Sequence, residues 1–198
     1  MQSILSNLTE GNNNYQILVS VDYDDGSMEA SLGKYESHPN VLICKGYSTN
    51  KINAINRDVE KADADWDILV NMSDDMCFKT KGFDEIIRKH FDNLGQCLHF
   101  PDGNTMDIIT LSIIGRKFYD RFGYIYHPDY ISLWCDNEQT DVAKMLGAYK
   151  FVYEYLYEHL HPAFGKAQLD AQYIKTEGYF EADRYTYQRR KANNFGIG

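Results

Sequence analysis

The segment 66–75, Trp-Asp-Ile-Leu-Val-Asn-Met-Ser-Asp-Asp, constrains the fold more than any other. Its apolar middle shows no alternation with polar residues. Such a run, bounded by polar residues, reads as a strand buried on both faces of a mostly parallel sheet. Two carboxylates, Asp74 and Asp75, follow at its C-terminal end. Tyr15 to Val21 has the same character and ends in the acidic turn Asp22-Tyr23-Asp24-Asp25-Gly26; Val41 to Cys44 leads through Gly46 to a helix N-cap at Ser48, Thr49 or Asn50. Gln96 to Phe100 and Asp107 to Ile114 read as further strands. Helical spacing places Ile4, Leu5 and Leu8 on one side of a short first helix. It also puts Ile52, Ile55, Val59 and Ala62 on the core face of the helix that follows residue 50, and predicts a further helix over Gly82 to Phe91. Strands and helices in this order predict an α/β fold, a mixed and mostly parallel sheet flanked by helices. After Gly115 the expected order is a short helix, an aromatic stretch from Tyr124 to Tyr130, a helix from Asp136 to Leu146, and a polar helical tail from Gly165. The end of that tail, Phe195-Gly196-Ile197-Gly198, reads as loose.

At about 100–200 residues per domain, the 198 residues predict one domain. The chain carries 29 acidic and 20 basic side chains, a net charge of -9. That excess argues against a nucleic-acid partner, whose phosphates are met by a basic face. No apolar run approaches the roughly 20 residues of a membrane span, and no signal-peptide pattern follows Met1, so a cytoplasmic location is expected. Cys44, Cys77, Cys97 and Cys135 include no Cys-x-x-Cys pair and read as reduced thiols.

Carboxylates gather at three places: Asp22, Asp24 and Asp25; Asp74 and Asp75; and Asp136, Glu138 and Asp141. The first two groups stand at the C-terminal ends of predicted strands, where α/β sheets form their ligand crevice. Adjacent carboxylates repel, and a hard divalent cation with oxygen ligands holds such a pair ionised. His159 and His161, in His-Leu-His-Pro, offer nitrogen donors of a kind that Mn²⁺ accepts beside carboxylate. Asp-Asp pairs also serve as turn punctuation, and a histidine at a strand end is commonly a satisfied polar residue.

Taken in order, Asp22-x-Asp24-Asp25-Gly26-Ser27, Gly46-x-Ser48-x-Asn50-Lys51-x-x-Ala54-x-Asn56 and Asn71-x-Ser73-Asp74-Asp75 resemble the nucleotide-sugar half of the family 2-like glycosyltransferases with the GT-A fold. The later Asp136-Asn137-Glu138-Gln139-Thr140-Asp141 and His159-Leu160-His161-Pro162 resemble that family's acceptor-side acidic motif and C-terminal metal histidine. The resemblance implies a GT-A-like, Rossmann-like domain with a nucleotide-sugar half over residues 1–115 and an acceptor half with a helical tail over 116–198. It implies a metal-dependent transfer of sugar from a nucleotide diphosphate sugar to a saccharide or other hydroxyl acceptor, with Mn²⁺ or Mg²⁺ as cofactor. Asp22 would face the base, Asn50 and Lys51 would reach the nucleotide or diphosphate, and Asp74 would contact ribose or sugar. Asp75 and His161 would bind the metal, and Asp136 or Glu138 would be the general base. Tyr124, Tyr126, Tyr130 and Trp134 would form an acceptor platform.

The family's first β-strand has no counterpart before the first predicted helix. A strand from a second copy in a homo-oligomer would complete such a sheet. Two rival readings use the same residues: a catalytically impaired or non-catalytic GT-A-like binding module, and a metal-dependent phosphoesterase.

Overall fold

The computed structural model describes residues 1–26, 29–166 and 171–197; Ser27 and Gly198 lie outside them. In chain order the elements are α1 (Gln2–Asn7), β1 (Ile17–Asp22), α2 (Glu29–Leu32), β2 (Val41–Gly46), α3 (Lys51–Arg57), β3 (Ile68–Asn71), β4 (Met76–Phe78), α4 (Phe83–His90), β5 (Cys97–His99), β6 (Ser112–Gly115), α5 (Arg116–Phe122), α6 (Cys135–Met145), β7 (Tyr149–Phe151), β8 (Tyr157–His159), α7 (Ala171–Glu177) and α8 (Phe180–Ala192). The protein is a mixed α/β structure, but the strands do not form one mostly parallel sheet. Three separate sheets appear among the described residues: parallel β1-β2, a four-stranded sheet in the order β3-β6-β5-β7, and antiparallel β4-β8. Within the four-stranded sheet β6 runs antiparallel to both β3 and β5, and only β5-β7 is parallel.

The expected strand over residues 66–72 shortens to β3, an edge strand bonded to β6 alone among the described residues. Both of its faces still pack, as an unalternating run requires. Ile68 and Val70 join a core with Phe78, Phe83, Ile87 and Leu98, and Leu69 packs on the other side against Phe118, Ile52 and their neighbours. Every β3 residue nevertheless keeps part of its surface exposed. The expected strand at 107–114 survives only as β6, because the Ile109 N–H is taken by the Thr140 hydroxyl at 3.0 Å rather than by a neighbouring strand. At the end of β6, Gly115 allows a close approach, for a Cβ there would stand 2.3 Å from the Leu94 carbonyl oxygen. All four cysteines are free, as expected.

Helix α3 starts where the sequence predicts. Asn50 caps it, its side-chain oxygen accepting the Asn53 N–H at 2.8 Å. Ile52 is fully buried, and Ile55 and Val59 pack beside it against Leu69, so α3 leans on β3 as well as β1. No helix among the described residues is long and apolar enough to cross a membrane.

The C-terminal helix α8 is bound tightly to the rest. Its buried Asp183 accepts the N–H groups of Ile131, Ser132 and Leu133 at 2.8–2.9 Å. The basic run at its end is consumed internally: Arg189 pairs with Asp129 at 2.6 Å, Arg190 with Glu138 at 2.7 Å and Lys191 with Asp141 at 2.8 Å. Phe195 to Ile197, the described part of the expected loose end, is anchored, because Phe195 is buried against Tyr187 and the second core. Arg190 and Glu138 form a two-pronged pair with both partners nearly buried, and the Tyr130 hydroxyl adds a third bond to the carboxylate. Removing one partner of such a pair costs about 3–5 kcal/mol. Urea unfolding of Arg190→Ala is expected to show a loss in that range. A loss below about 1 kcal/mol, the worth of an exposed pair, would contradict a buried latch.

Candidate functional site

The short ladder β4-β8 creates the site. Its register sets Met76 opposite His159 and Phe78 opposite Tyr157, and the Leu160 N–H continues it to the Asp75 carbonyl at 2.8 Å. The acidic turn after β3 and the His-Leu-His-Pro segment, 84 residues apart, are thereby forced together. On the far side of β8 the His159 N–H reaches the Asp102 carbonyl at 3.2 Å, and the Asn104 side chain donates to the His159 carbonyl at 2.9 Å.

His159 stands between two carboxylates. Its Nε2 lies 3.0 Å from Asp75 Oδ2 and its Nδ1 lies 3.5 Å from Asp102 Oδ2. Asp75 also accepts from the Ser73 hydroxyl. Asp102 is almost fully buried and accepts the N–H groups of Asn104 and Thr105, each at 2.8 Å, and the Thr110 hydroxyl at 3.1 Å. Burial alone would lower the His159 pKa, but the bonds and charges of Asp102 and Asp75 outweigh it and raise the group to about 9. Burial would likewise raise both carboxyls, yet His159 and the other donors bring Asp75 and Asp102 down to about 2. The His161 ring lies edge-on to His159, with centroids 5.1 Å apart. Burial first, and then the His159 charge, push the His161 pKa below its ordinary value.

Asp136 enters this field from α6. It lies in the first turn, accepts the Asn137 N–H at 2.8 Å, and forms no salt bridge among the described residues. Burial raises its pKa; the charges of Lys51 and His159 oppose that rise. The same Lys51, exposed at the start of α3, acts on Asp75 and His161. Asp75, His159 and His161 are thus neighbours at the β3-β4 turn and the end of β8, and the charges of Lys51 on α3 and of His159 reach Asp136 on α6. The residue before α6, Trp134, has a left-handed backbone at φ 62°, a rare conformation for a bulky residue. Its ring packs against Phe180 and Tyr187 of α8, which holds it there.

Other sequence-predicted residues lie apart from this cluster or are already engaged. Asp22 ends β1 with its oxygens taken by the Ser48 hydroxyl and, at 2.9 Å, by Arg57. The Ser48 bond leads, and with Arg57 it outweighs burial to lower the Asp22 pKa. Gly46 gives the guanidinium room, since a Cβ there would meet Arg57 Cζ at 2.7 Å. Asn50 is engaged as the α3 cap, and Asp74 is exposed on the turn. Glu138, two residues after Asp136, is buried in the Arg190 latch. Of the expected aromatic platform, Tyr126 and Tyr130 are core residues, with the Tyr130 hydroxyl bonded to Glu138. They offer no open stacking surface. Asp102 and Arg57 are the groups that reading the sequence misses. Pro-Asp-Gly-Asn-Thr reads as an ordinary turn, and nothing local marks its Asp as a partner for a histidine 57 residues later.

No group of three or more His, Cys, Asp or Glu among the described residues is arranged to hold a metal ion. Searches against protein-family models, curated proteins and solved structures give no match to the chain.

The His159 triad sets a pH window. A histidine raised to about 9 from an ordinary 6.5 contributes stability that is complete below pH 6.5 and lost as pH rises through 9. Carboxyls lowered to about 2 from 3.8 contribute above pH 3.8 and lose that contribution as pH falls through 2. In metal-free protein, an NMR titration is expected to show the His159 ring charged at pH 7 and losing its proton near pH 9. A midpoint below 7 would contradict the triad.

Proposed function

We propose that the protein is a metal-dependent glycosyltransferase that moves a sugar from a nucleotide diphosphate sugar to an acceptor hydroxyl, with inversion. The observation that carries this reading is the β4-β8 ladder, which sets Asp75 3.0 Å from His159, with Lys51 and with Asp136, a carboxyl with a raised pKa and no ion pair among the described residues, close enough for their charges to act there. A general base works best when its pKa lies nearer the operating pH. Glu138 is spoken for by Arg190 and Tyr130, so the geometry favours Asp136 in that role.

Donor chemistry supports a divalent cation. Asp75 supplies oxygen and the His-Leu-His-Pro histidines supply nitrogen, a mixed set that suits Mn²⁺ better than Ca²⁺. Two protein donors suffice for Mn²⁺ or Mg²⁺ when substrate phosphates and water complete the shell. When bound, the cation neutralises charge on the departing diphosphate. Lys51 adds a second positive charge on the same side. Asp136 takes the proton of the acceptor hydroxyl as its oxygen attacks the anomeric carbon, and the bond from that carbon to the diphosphate oxygen breaks. Asp74, exposed on the turn, is left to meet ribose or sugar, and Asp22 the base, beyond the Ser48 bond that ties β1 to the segment before α3.

Transfer assays with a panel of nucleotide sugars and saccharide acceptors test the assignment. Asp136→Asn is expected to lower kcat by about 100-fold or more, while the affinity for nucleotide diphosphate with Mn²⁺ stays within a few-fold. An unchanged kcat removes Asp136 from the chemistry. Release of inorganic phosphate from simple esters, with no sugar transfer, would favour a phosphoesterase instead.

A further inference from the structure

We propose that the exposed pair Tyr23 and Tyr47 is a stacking platform for the nucleobase of the donor, holding the base by its flat face and discriminating little between bases. The inference rests on the glycosyltransferase reading for the nature of the ligand, and on the β1-β2 sheet for its place. The register of that sheet sets Asp22 opposite Gly46. The ladder runs one bond further, from the Tyr23 N–H to the Gly46 carbonyl at 2.9 Å, which brings Tyr23 alongside Tyr47. The two rings touch, with centroids 5.0 Å apart and planes tilted by 48°, so no ligand ring fits between them. Their outer faces are open, for Tyr23 is 59% and Tyr47 79% exposed. Two large rings left side by side in water stand here at the C-terminal ends of parallel strands, where α/β sheets form their ligand crevice.

The two faces of the sheet differ. Ser20 and Asp22 turn toward α3, where Ser20 bonds Asp58 and Asp22 takes the Ser48 hydroxyl and the Arg57 guanidinium. Asp22 thus has a donor on each oxygen and a positive charge beside it, which leaves it little to offer the edge of a base. Val21, Ile43 and Lys45 turn to the opposite face and, with Leu32 and Glu36, line a cavity of about 250 Å³. Tyr23 and Tyr47 come next in that alternation after Val21 and Lys45, so they stand at the strand-end lip of the cavity. Pockets that enclose a whole small ligand begin near about 300 Å³. This one has room for part of a ligand, a planar ring laid on the tyrosines and reaching over the lip.

The chain beyond Tyr47 favours a nucleobase over a saccharide. Ser48, bonded to Asp22, and Asn50, capping α3, fix the segment that leads to Lys51. Four residues separate Tyr47 from Lys51 and span at most about 14 Å. The Lys51 charge acts on Asp75, so the positive charge that suits a diphosphate lies on the side of the acidic turn. A ligand with a flat aromatic end and an anionic end matches Tyr47 and Lys51 together, whereas a neutral saccharide would use the rings alone. Stacking of this kind tolerates any base, because every base has a π-face.

Calorimetry on the full chain with UDP, GDP and inorganic pyrophosphate, each with Mn²⁺, tests this. The wild-type protein is expected to bind UDP and GDP with affinities within about 10-fold of each other, and both more tightly than pyrophosphate. Replacing both rings, Tyr23→Ala with Tyr47→Ala, should weaken UDP and GDP by about 5- to 150-fold, the effect of removing a stacking partner from a base. Pyrophosphate affinity should stay within about two-fold in that variant, and Tyr47→Phe, which keeps the ring, should bind UDP as the wild type does. Unchanged UDP and GDP affinity in the double variant overturns the platform while leaving the glycosyltransferase reading in place. An equal loss for pyrophosphate, or a loss in Tyr47→Phe, overturns it as well, since neither follows from stacking. A larger preference for one base would mean that its edge is read, and loss of saccharide binding with nucleotide affinity retained would make the pair an acceptor surface; both contradict the proposal. Failure of the wild-type protein to bind any nucleoside diphosphate overturns the glycosyltransferase reading itself, and this inference with it.

Discussion

The pairing of β4 with β8 is the constraint on which the candidate site depends. Three residues on each strand suffice, because the ladder is continued by the Leu160 bond to Asp75 and flanked by the His159 bond to Asp102. Without it the acidic turn after β3 would be one loop and the histidine segment another. With it, a single imidazole lies between a partly exposed carboxylate and a buried one. The buried partner matters most for electrostatics. A carboxylate taken from water must be compensated, and Asp102 finds compensation in two backbone N–H groups, a hydroxyl and the histidine. That network holds His159 against the buried carboxylate.

A second set of contacts sets the other wall. Glu138 and Asp136 are two residues apart on α6, which at 3.6 residues per turn separates their side chains by about 200°. One must face away from whatever the other faces. Arg190 captures Glu138, and Asp183 shapes the loop that leads into Trp134 and the start of α6. By holding Glu138, the C-terminal helix fixes which acid of the Asp-Asn-Glu motif faces it, and Asp136, on another face of α6, feels the charges of Lys51 and His159. The third acidic cluster is accordingly split between two jobs. Glu138 and Asp141 offset the basic end of α8, and Asp136 is left without an ion pair among the described residues.

Much of this was legible in the sequence. Apolar runs at 15–21, 41–44 and 66–72 mark β1, β2 and β3, and Asn50 marks the start of α3, because burial and capping leave local signatures. The sheet order did not follow, since an apolar run shows that a strand is buried but not the direction of its neighbour. The strands Met76–Phe78, Tyr149–Phe151 and Tyr157–His159 are too short for any periodicity to reveal, and they depend on their partners for existence. That is why the two histidines could be recognised as candidates, with His161 expected to bind the metal, while the contact of His159 with Asp75 and Asp102 could not be read. Asp102 illustrates the same limit, since its turn is local but its burial and its histidine are tertiary. The tyrosines at 126 and 130 were misjudged for a related reason: aromatic residues near a motif serve as core or as surface according to packing that the sequence does not display.

The most direct test of the account is a crystal structure of the protein with Mn²⁺ and a nucleoside diphosphate. The account predicts a cation bound to Asp75, diphosphate oxygens completing its shell on the Lys51 side, and the Asp136 carboxylate facing the space beyond them. A cation held instead by the acidic turn at Asp22, Asp24 and Asp25, or a nucleotide bound away from Lys51 and Asp75, would contradict it.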